Sequence, residues 1–335
     1  MRHERILLAH GSGGRLTHEL IDTLFRPAFS NPILNAMDDA ALLKAVKGKL
    51  AFTTDSFVVT PLFFPGGDIG SLAVHGTVND LAMKGARPIA LSVAAIIEEG
   101  LDMRILERVV SSLKKAARAA GVMVVTGDTK VVEKGKADKL FLTTAGIGVI
   151  DHAVEISGSR AKPGDAVLIN GPVADHGIAV LAARNQFKFR STIKSDSAPL
   201  NHLAAAILSC THDVHTFRDP TRGGVATTLN EIAAASRVGI IIEESYVPVR
   251  RETRAACSLL GIDPLYVANE GKLLALVPGK TAPKVLAAMK SDPHGRQSTV
   301  IGTVVRSPKG VWMKTTAGGL RPLAMLEGEQ LPRIC

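Results

Sequence analysis

Six acids, one lysine and one thiol are the groups in this sequence whose types and settings suit chemistry. Five aspartates of the first half, Asp38, Asp39, Asp55, Asp80 and Asp128, stand at the edges of predicted elements rather than along a charged helical face. Any one of them reads as a turn or cap residue; five in one half-chain make a pattern. Hard carboxylate oxygens brought together suit Mg²⁺ and the phosphates of a nucleotide. Phosphoryl transfer asks mainly for positioning and charge neutralisation, which acid-held metals supply. Lys130 follows Asp128 by two residues, and Glu270 lies in Asn269-Glu270-Gly271, just ahead of a predicted buried strand. The loop Phe217-Arg218-Asp219-Pro220-Thr221-Arg222-Gly223-Gly224 runs into a helix, whose N-terminus would suit an anion.

The thiol is the final residue, Cys335, behind Pro332. A proline there disfavours a continuing helix, and a chain end not tied into a core is mobile. The expectation is a mobile tail over 325–335, a thiol on a leash that reaches about 35 Å at roughly 3.3–3.6 Å per residue. Prenylation is excluded, because it uses a cysteine fourth from the end. Cys210 and Cys257 complete an odd set of three with no paired framework, which fits free thiols in a reducing cytoplasm. Cys257 reads as core on an amphipathic helix. Cys210, His212 and His215 are a weak match to a zinc site, lacking a fourth ligand at the usual spacing.

The elements that must carry these groups alternate. An opening strand leads into Gly11-Ser12-Gly13-Gly14, then a helix from Thr17 to Phe25 stopped at Pro27. Ala41–Val46 and Leu50–Thr54 read as a hairpin turned at Lys47-Gly48-Lys49. Asp68 caps a helix from Ile69 to Lys84 that carries Asn79-Asp80 near its end. Strands follow at Ile89–Ile97, Val122–Val125 and Leu140–Ile150. Between the first two lies a helix, Asp102 to Ala120, whose Leu106, Val109, Val110, Leu113, Ala116, Ala117 and Ala120 repeat at helical spacing. Residues 157–165 mark a boundary. Beyond it the pattern predicts strands at 166–170, 238–243, 273–277, 299–305 and 311–313, and helices at 176–184, 197–210, 224–236 and 249–260. Residues 186–195 read as a polar, basic surface excursion.

The class is α/β: an α+β arrangement in two domains, since 335 residues exceed one typical core. The net charge of +9, from 40 Lys/Arg and 31 Asp/Glu, is scattered, with no basic block interleaved with aromatics. That argues against nucleic acid and for a solvated surface tolerant of anionic ligands. The start lacks the apolar core of a signal peptide, and no apolar run approaches the ~20 residues of a membrane span.

Eight motifs in order carry a resemblance: Asp38-Asp39-Ala40, Thr54-Asp55-Ser56, Pro65-Gly66-Gly67-Asp68-Ile69-Gly70, Gly76-Thr77-Val78-Asn79-Asp80, Gly127-Asp128-Thr129-Lys130, Arg218-Asp219-Pro220-Thr221-Arg222-Gly223-Gly224, Asn269-Glu270-Gly271 and Pro332-Arg333-Ile334-Cys335. Along essentially its whole length the chain resembles the HypE family of hydrogenase maturation proteins. The wider superfamily is that of aminoimidazole ribonucleotide synthetase and selenophosphate synthetase.

The resemblance implies an ATP-binding, dimerising domain over 1–156, whose strands pair across a homodimer. It implies an α/β domain over 157–324 and the tail over 325–335. It implies that a carbamoyltransferase, HypF, loads the Cys335 thiol and that ATP with Mg²⁺ drives dehydration of the carbamoyl group to a thiocyanate. The cyanide then goes to iron on a HypC–HypD scaffold for [NiFe]-hydrogenase. The residues implied are Asp39, Asp55, Asp80 and Asp128 as metal and ATP ligands, with Asp38 a further candidate, and Asn79 and Gly127 beside them. Glu270 and Lys130 are candidate bases, Lys130 alternatively holding phosphate as a point charge. Two rival readings stand beside this one: another ATP-using enzyme of the superfamily, of selenophosphate synthetase or thiamine-monophosphate kinase type, and a non-catalytic carrier using Cys335.

Overall fold

The computed structural model describes residues 3–184, 192–325, 328 and 334. In the first half, α1 (Arg15–Leu20) and α2 (Arg26–Phe29) precede β1 (Lys49–Phe57) and the short pair β2 (Phe63–Phe64) and β3 (Gly67–Asp68). Then come α3 (Ile69–Met83), β4 (Arg87–Glu98), α4 (Met103–Ala120), β5 (Met123–Val132) and β6 (Leu140–Ile150). The second half runs β7 (Asp165–Ile169), α5 (Asp175–Ala183), α6 (Asn201–Cys210), β8 (Thr216–Arg218), α7 (Gly224–Ser236), β9 (Gly239–Glu243) and α8 (Arg251–Leu260). It ends with β10 (Leu274–Pro278), α9 (Ala282–Ser291), β11 (Thr299–Val305), β12 (Gly310–Lys314) and β13 (Leu320–Pro322).

Each half builds its own sheet. The first has the order β1-β6-β4-β5, the second β13-β12-β9-β11-β7-β10-β8. In the first, only β4 and β5 run parallel, joined by α4 as a crossover. The stripe predicted on α4 is the buried face observed, with Asp102 accepting from the Arg104 N–H at its start. Helix α3 is buried nearly all round, because it lies between the first sheet and the second half. Asp68 caps it, accepting from the N–H groups of Gly70 and Ser71 at 2.8 and 3.1 Å.

Strand alternation gives the first sheet two unlike faces. Thr53 and Asp55 of β1, Thr144 of β6 and Leu91, Val93, Ala95 and Ile97 of β4 share the side that α3 and α4 cover. On the other side stand Leu50 and Phe52 of β1, 65% and 71% exposed, with Ile96 of β4 at 41%. Asp128 and Lys130 share that open face, since they pair with Ala94 and Ile96.

Several expected elements differ. Among the described residues the opening strand is a single bridge from Arg5 to Asp102. Pro27 does not stop the first helix, which continues through a π turn at Ile21–Phe25 into α2, with Pro27 as its second residue. Residues 41–46 are not a strand: β1 pairs with β6 on one side, and no described segment lies along the other. β5 runs on through Gly127 to Val132, so Asp128 and Lys130 sit within a strand rather than in a loop. Of the segment read as a surface excursion, Ile193 is 6% exposed and Ser195 bonds inward; 186–191 lie outside the described residues.

Candidate active site

The loop after β8, the end of α3 and the inner side of β1 meet in a cleft of about 190 Å³. It is lined by Asp55, Gly76, Asp80, Asp219, Arg222 and Glu270, among others. Asp55 reaches it from β1. A Cβ on Gly76 would lie 3.2 Å from the Asp55 carboxylate and 2.9 Å from the Phe57 ring, so glycine leaves the room that the acid occupies. Asp80, one turn further along α3, accepts from Thr53 Oγ1 at 2.7 Å.

The second half contributes through Asn269. Its Nδ2 donates to the Pro220 carbonyl at 2.8 Å, and its Oδ1 accepts from the Ala174 N–H at 2.8 Å. This staple holds the Arg218–Gly224 loop beside Glu270, the next residue. Asn79 braces the other side: its Nδ2 donates to the carbonyls of Ala198 and Glu270, and its Oδ1 accepts from the Leu200 N–H at 2.8 Å. Its amide is thereby engaged with the second half of the chain. The Glu270 N–H donates to Asp196 Oδ1 at 3.1 Å. Asp196 is ion-paired to Lys272 at 2.8 Å. Burial alone would raise its pKa, but the groups around it, Lys272 foremost, more than offset that and hold it ionised.

Four carboxyl groups crowded in this cleft resist ionisation. Burial and then Asp80 push Asp55 up to about 6. Burial, Asp80 and Asp55 push Asp219 up to about 7. Asp80 is raised by burial. Glu270, 4% exposed, is raised well above the usual carboxylate range by burial and by Asp196, Asp219 and Asp55. Such a cleft holds protons, or takes up cations that replace them. Among the described residues no group of three His, Cys, Asp or Glu is arranged to hold a metal ion by itself. The donor set still fits Mg²⁺, which is commonly held by one or two carboxylates together with phosphate oxygens and water.

The other predicted residues stand elsewhere. Asp38 and Asp39 are exposed. Asp128 and Lys130 pair loosely at 3.7 Å, about two-thirds exposed, on the open face of the sheet. Gly127 and Asp128 border a separate, mostly apolar cavity of about 160 Å³ with Phe25, Phe29, Leu34 and Val124. Cys335 lies outside the described residues, but Ile334 before it is 5% exposed and its carbonyl accepts from His176 Nε2 at 2.7 Å. His215 turns to Asp165 at 2.8 Å rather than to Cys210. Asp219 and Arg222 were legible as part of a site-like loop but not as partners of Glu270. Asp196 and His176 carried no signal in the sequence.

The pattern for "AIR synthase related protein, N-terminal domain" matches residues 37–150, and that for the C-terminal domain matches residues 162–313. The carbamoyl dehydratase HypE of Azotobacter vinelandii is 50% identical over 100% of this chain and 98% of its own. The chain belongs to the HypE family of carbamoyl dehydratases. A crystal structure of the hydrogenase maturation protein HypE in complex with ATP superposes with a TM-score of 0.95 at 53% identity, covering 98% of this chain and 99% of the other. The chain from a HypE–HypF complex aligns at 0.81 and 48% identity, over 93% of this chain and all of that one. No helix among the described residues of this HypE-family chain is long and apolar enough to cross a membrane.

Proposed function

We propose that this chain performs ATP-dependent dehydration of a carbamoyl group carried on its own Cys335, leaving a thiocyanate and releasing ADP and phosphate. The observation that carries the reading is Glu270, buried among three aspartates and one arginine at the junction of the two halves. The carbamoyl oxygen is a poor leaving group and becomes a good one once the γ-phosphoryl is on it. The C–O bond then breaks, phosphate departs with the oxygen, and the nitrogen gives up its protons as the C≡N bond forms. A carboxylate whose acidity lies near neutrality is suited to take such a proton. Burial and like charge raise Glu270 in that direction.

Asp55, Asp80 and Asp219 would hold Mg²⁺ on the phosphates, and the metal supplies charge neutralisation during transfer. The apolar cavity beside Gly127 and Asp128 has the lining that a nucleotide base needs, and Arg222 the charge that a phosphate needs. Asp55 and Asp128 lie on opposite faces of one sheet, on strands three spacings of about 4.8 Å apart. Service by Asp128 and Lys130 to the Glu270 cleft therefore requires a second copy. A homodimer joined through the open face would cover Leu50, Phe52 and Ile96 and bring those residues to a partner. Carbamoylation by HypF and delivery to HypC–HypD in the cytoplasm complete the reading.

The test is the mass of the C-terminal peptide after incubation with HypF, carbamoyl phosphate and Mg-ATP. Loss of one water from the carbamoylated peptide is expected. Persistence of the carbamoyl adduct while ATP is hydrolysed would sink the assignment.

A further inference from the structure

His176 sits at the start of α5, fully buried, with hydrogen bonds at both ring nitrogens. Nε2 faces the Ile334 carbonyl at 2.7 Å. A carbonyl only accepts, so Nε2 carries a hydrogen. Nδ1 meets Ser195 Oγ at 2.9 Å, and Ser195 Oγ itself accepts from the Ser197 N–H at 3.1 Å. Burial holds the ring neutral, so Nδ1 accepts the Ser195 hydroxyl hydrogen. The direction of each bond is thereby settled: Ser197 N–H to Ser195, Ser195 to His176, His176 to the tail.

One wall around this imidazole comes from the first half of the chain. The Ser195 N–H donates to the Pro65 carbonyl at 2.8 Å. Gly66, at φ +90°, permits that approach, for a Cβ there would lie 2.7 Å from Ser195 N. The Phe64 ring stands edge-on to His176 at 5.6 Å. Pro65-Gly66-Gly67, which the helix cap alone does not explain, thus builds one wall of the His176 seat. Ile334 is buried in the same core cluster as Ile178, Ile193 and Val267. The residue after Ser195 is Asp196, which holds the Glu270 N–H.

We propose that His176 is a positioning residue that clasps the tail at the Ile334 carbonyl and so favours dehydration of the group carried on the next residue. The proposal rests on the tail-borne reaction above. A backbone carbonyl is a fitting handle, because it is the same whether the next residue bears a free thiol, a carbamoyl or a cyano group. The clasp holds the tail without reading its cargo. It must also release, since loading and delivery take place on other proteins.

Trypsin cutting after Arg333, read as release of the Ile334-Cys335 dipeptide from the full chain, tests the clasp without the reaction. His176→Phe keeps a ring and loses the donor. Losing one hydrogen bond should speed release roughly 3- to 10-fold. His176→Gln, which restores an N–H, should return release to within about twofold of the parent. Equal release from parent and folded His176→Phe overturns the proposal. Should that variant not fold, Ser195→Ala removes the hydroxyl that orients the ring, and unchanged release there overturns it equally. On chains already carbamoylated, His176→Phe should slow dehydration by the same factor and leave carbamoylation unaltered; an undiminished rate also counts against the clasp. If the parent itself lost no water, the reaction reading would fall while the protease result still decided the clasp.

Discussion

The two faces of the first sheet carry acids of the same kind in opposite settings. On the covered face Asp55 is pressed between β1 and Gly76 of α3, near Asp80, and is pushed up to about 6. On the open face Asp128 has Lys130 beside it and is 61% exposed. The difference is made by one residue of alternation and by which face the helices cover. Burial plus like charge produces a cleft that needs cations. Exposure leaves Asp128 and Lys130 in solvent on the same face as the uncovered Leu50, Phe52 and Ile96, a surface of the kind that suits a partner.

The strongest way to break this contrast is Glu270→Gln. Nitrile formation should fall about 100-fold or more, the scale of a lost general base. Carbamoylation of Cys335 should continue, and intact mass should show the carbamoyl adduct accumulating. Conversion at the parent rate would move the base out of the covered cleft.

Mixing chains sharpens the comparison further. Glu270→Gln and Lys130→Ala copies are each expected to be inactive alone. Combined, they should recover about a quarter of the parent activity, if β5 of one copy serves the cleft of the other and each mixed dimer retains one intact site. No recovery would confine Lys130 to its own chain's chemistry. Asp80→Asn should weaken Mg-ATP binding about tenfold by calorimetry, the scale of one charge-assisted contact; unchanged affinity would remove Asp80 from the metal's surroundings.

A pH series separates the faces by stability. Asp55 and Asp219 are raised, to about 6 and about 7. The native state therefore binds more protons than the unfolded chain in that window. Their contribution is whole below about pH 4 and is lost as pH rises through about 6 and 7. The melting temperature without nucleotide should fall across that range. Asp219→Asn should flatten the fall and raise Tm at pH 8 by about 2–4 °C; a steeper fall would contradict the crowding. The smallest expected effect on the single chain is Phe52→Lys, within about 0.5 kcal/mol because the ring is already in solvent. That variant should nevertheless shift sedimentation from dimer toward monomer.

Much of this molecule was legible in its residues. The α4 stripe was readable because period 3.6 is a local property, and Asp68 because a cap answers only to the N–H groups after it. The motifs Asn269-Glu270-Gly271 and Arg218–Gly224 were recognisable as site-like, as was the chain's resemblance to a family. Tertiary structure decided what those motifs are near. Asn269 reaches Pro220, Asn79 reaches Ala198, and Ile334 reaches His176 across 158 residues. None of these pairings leaves a local trace, because a hydrogen bond constrains two ends and not the chain between them. The same holds for Asp55 and Asp128, alike in sequence as acids beside small polar neighbours. Only the covering of one sheet face made the first a buried member of a cleft and left the second in the open.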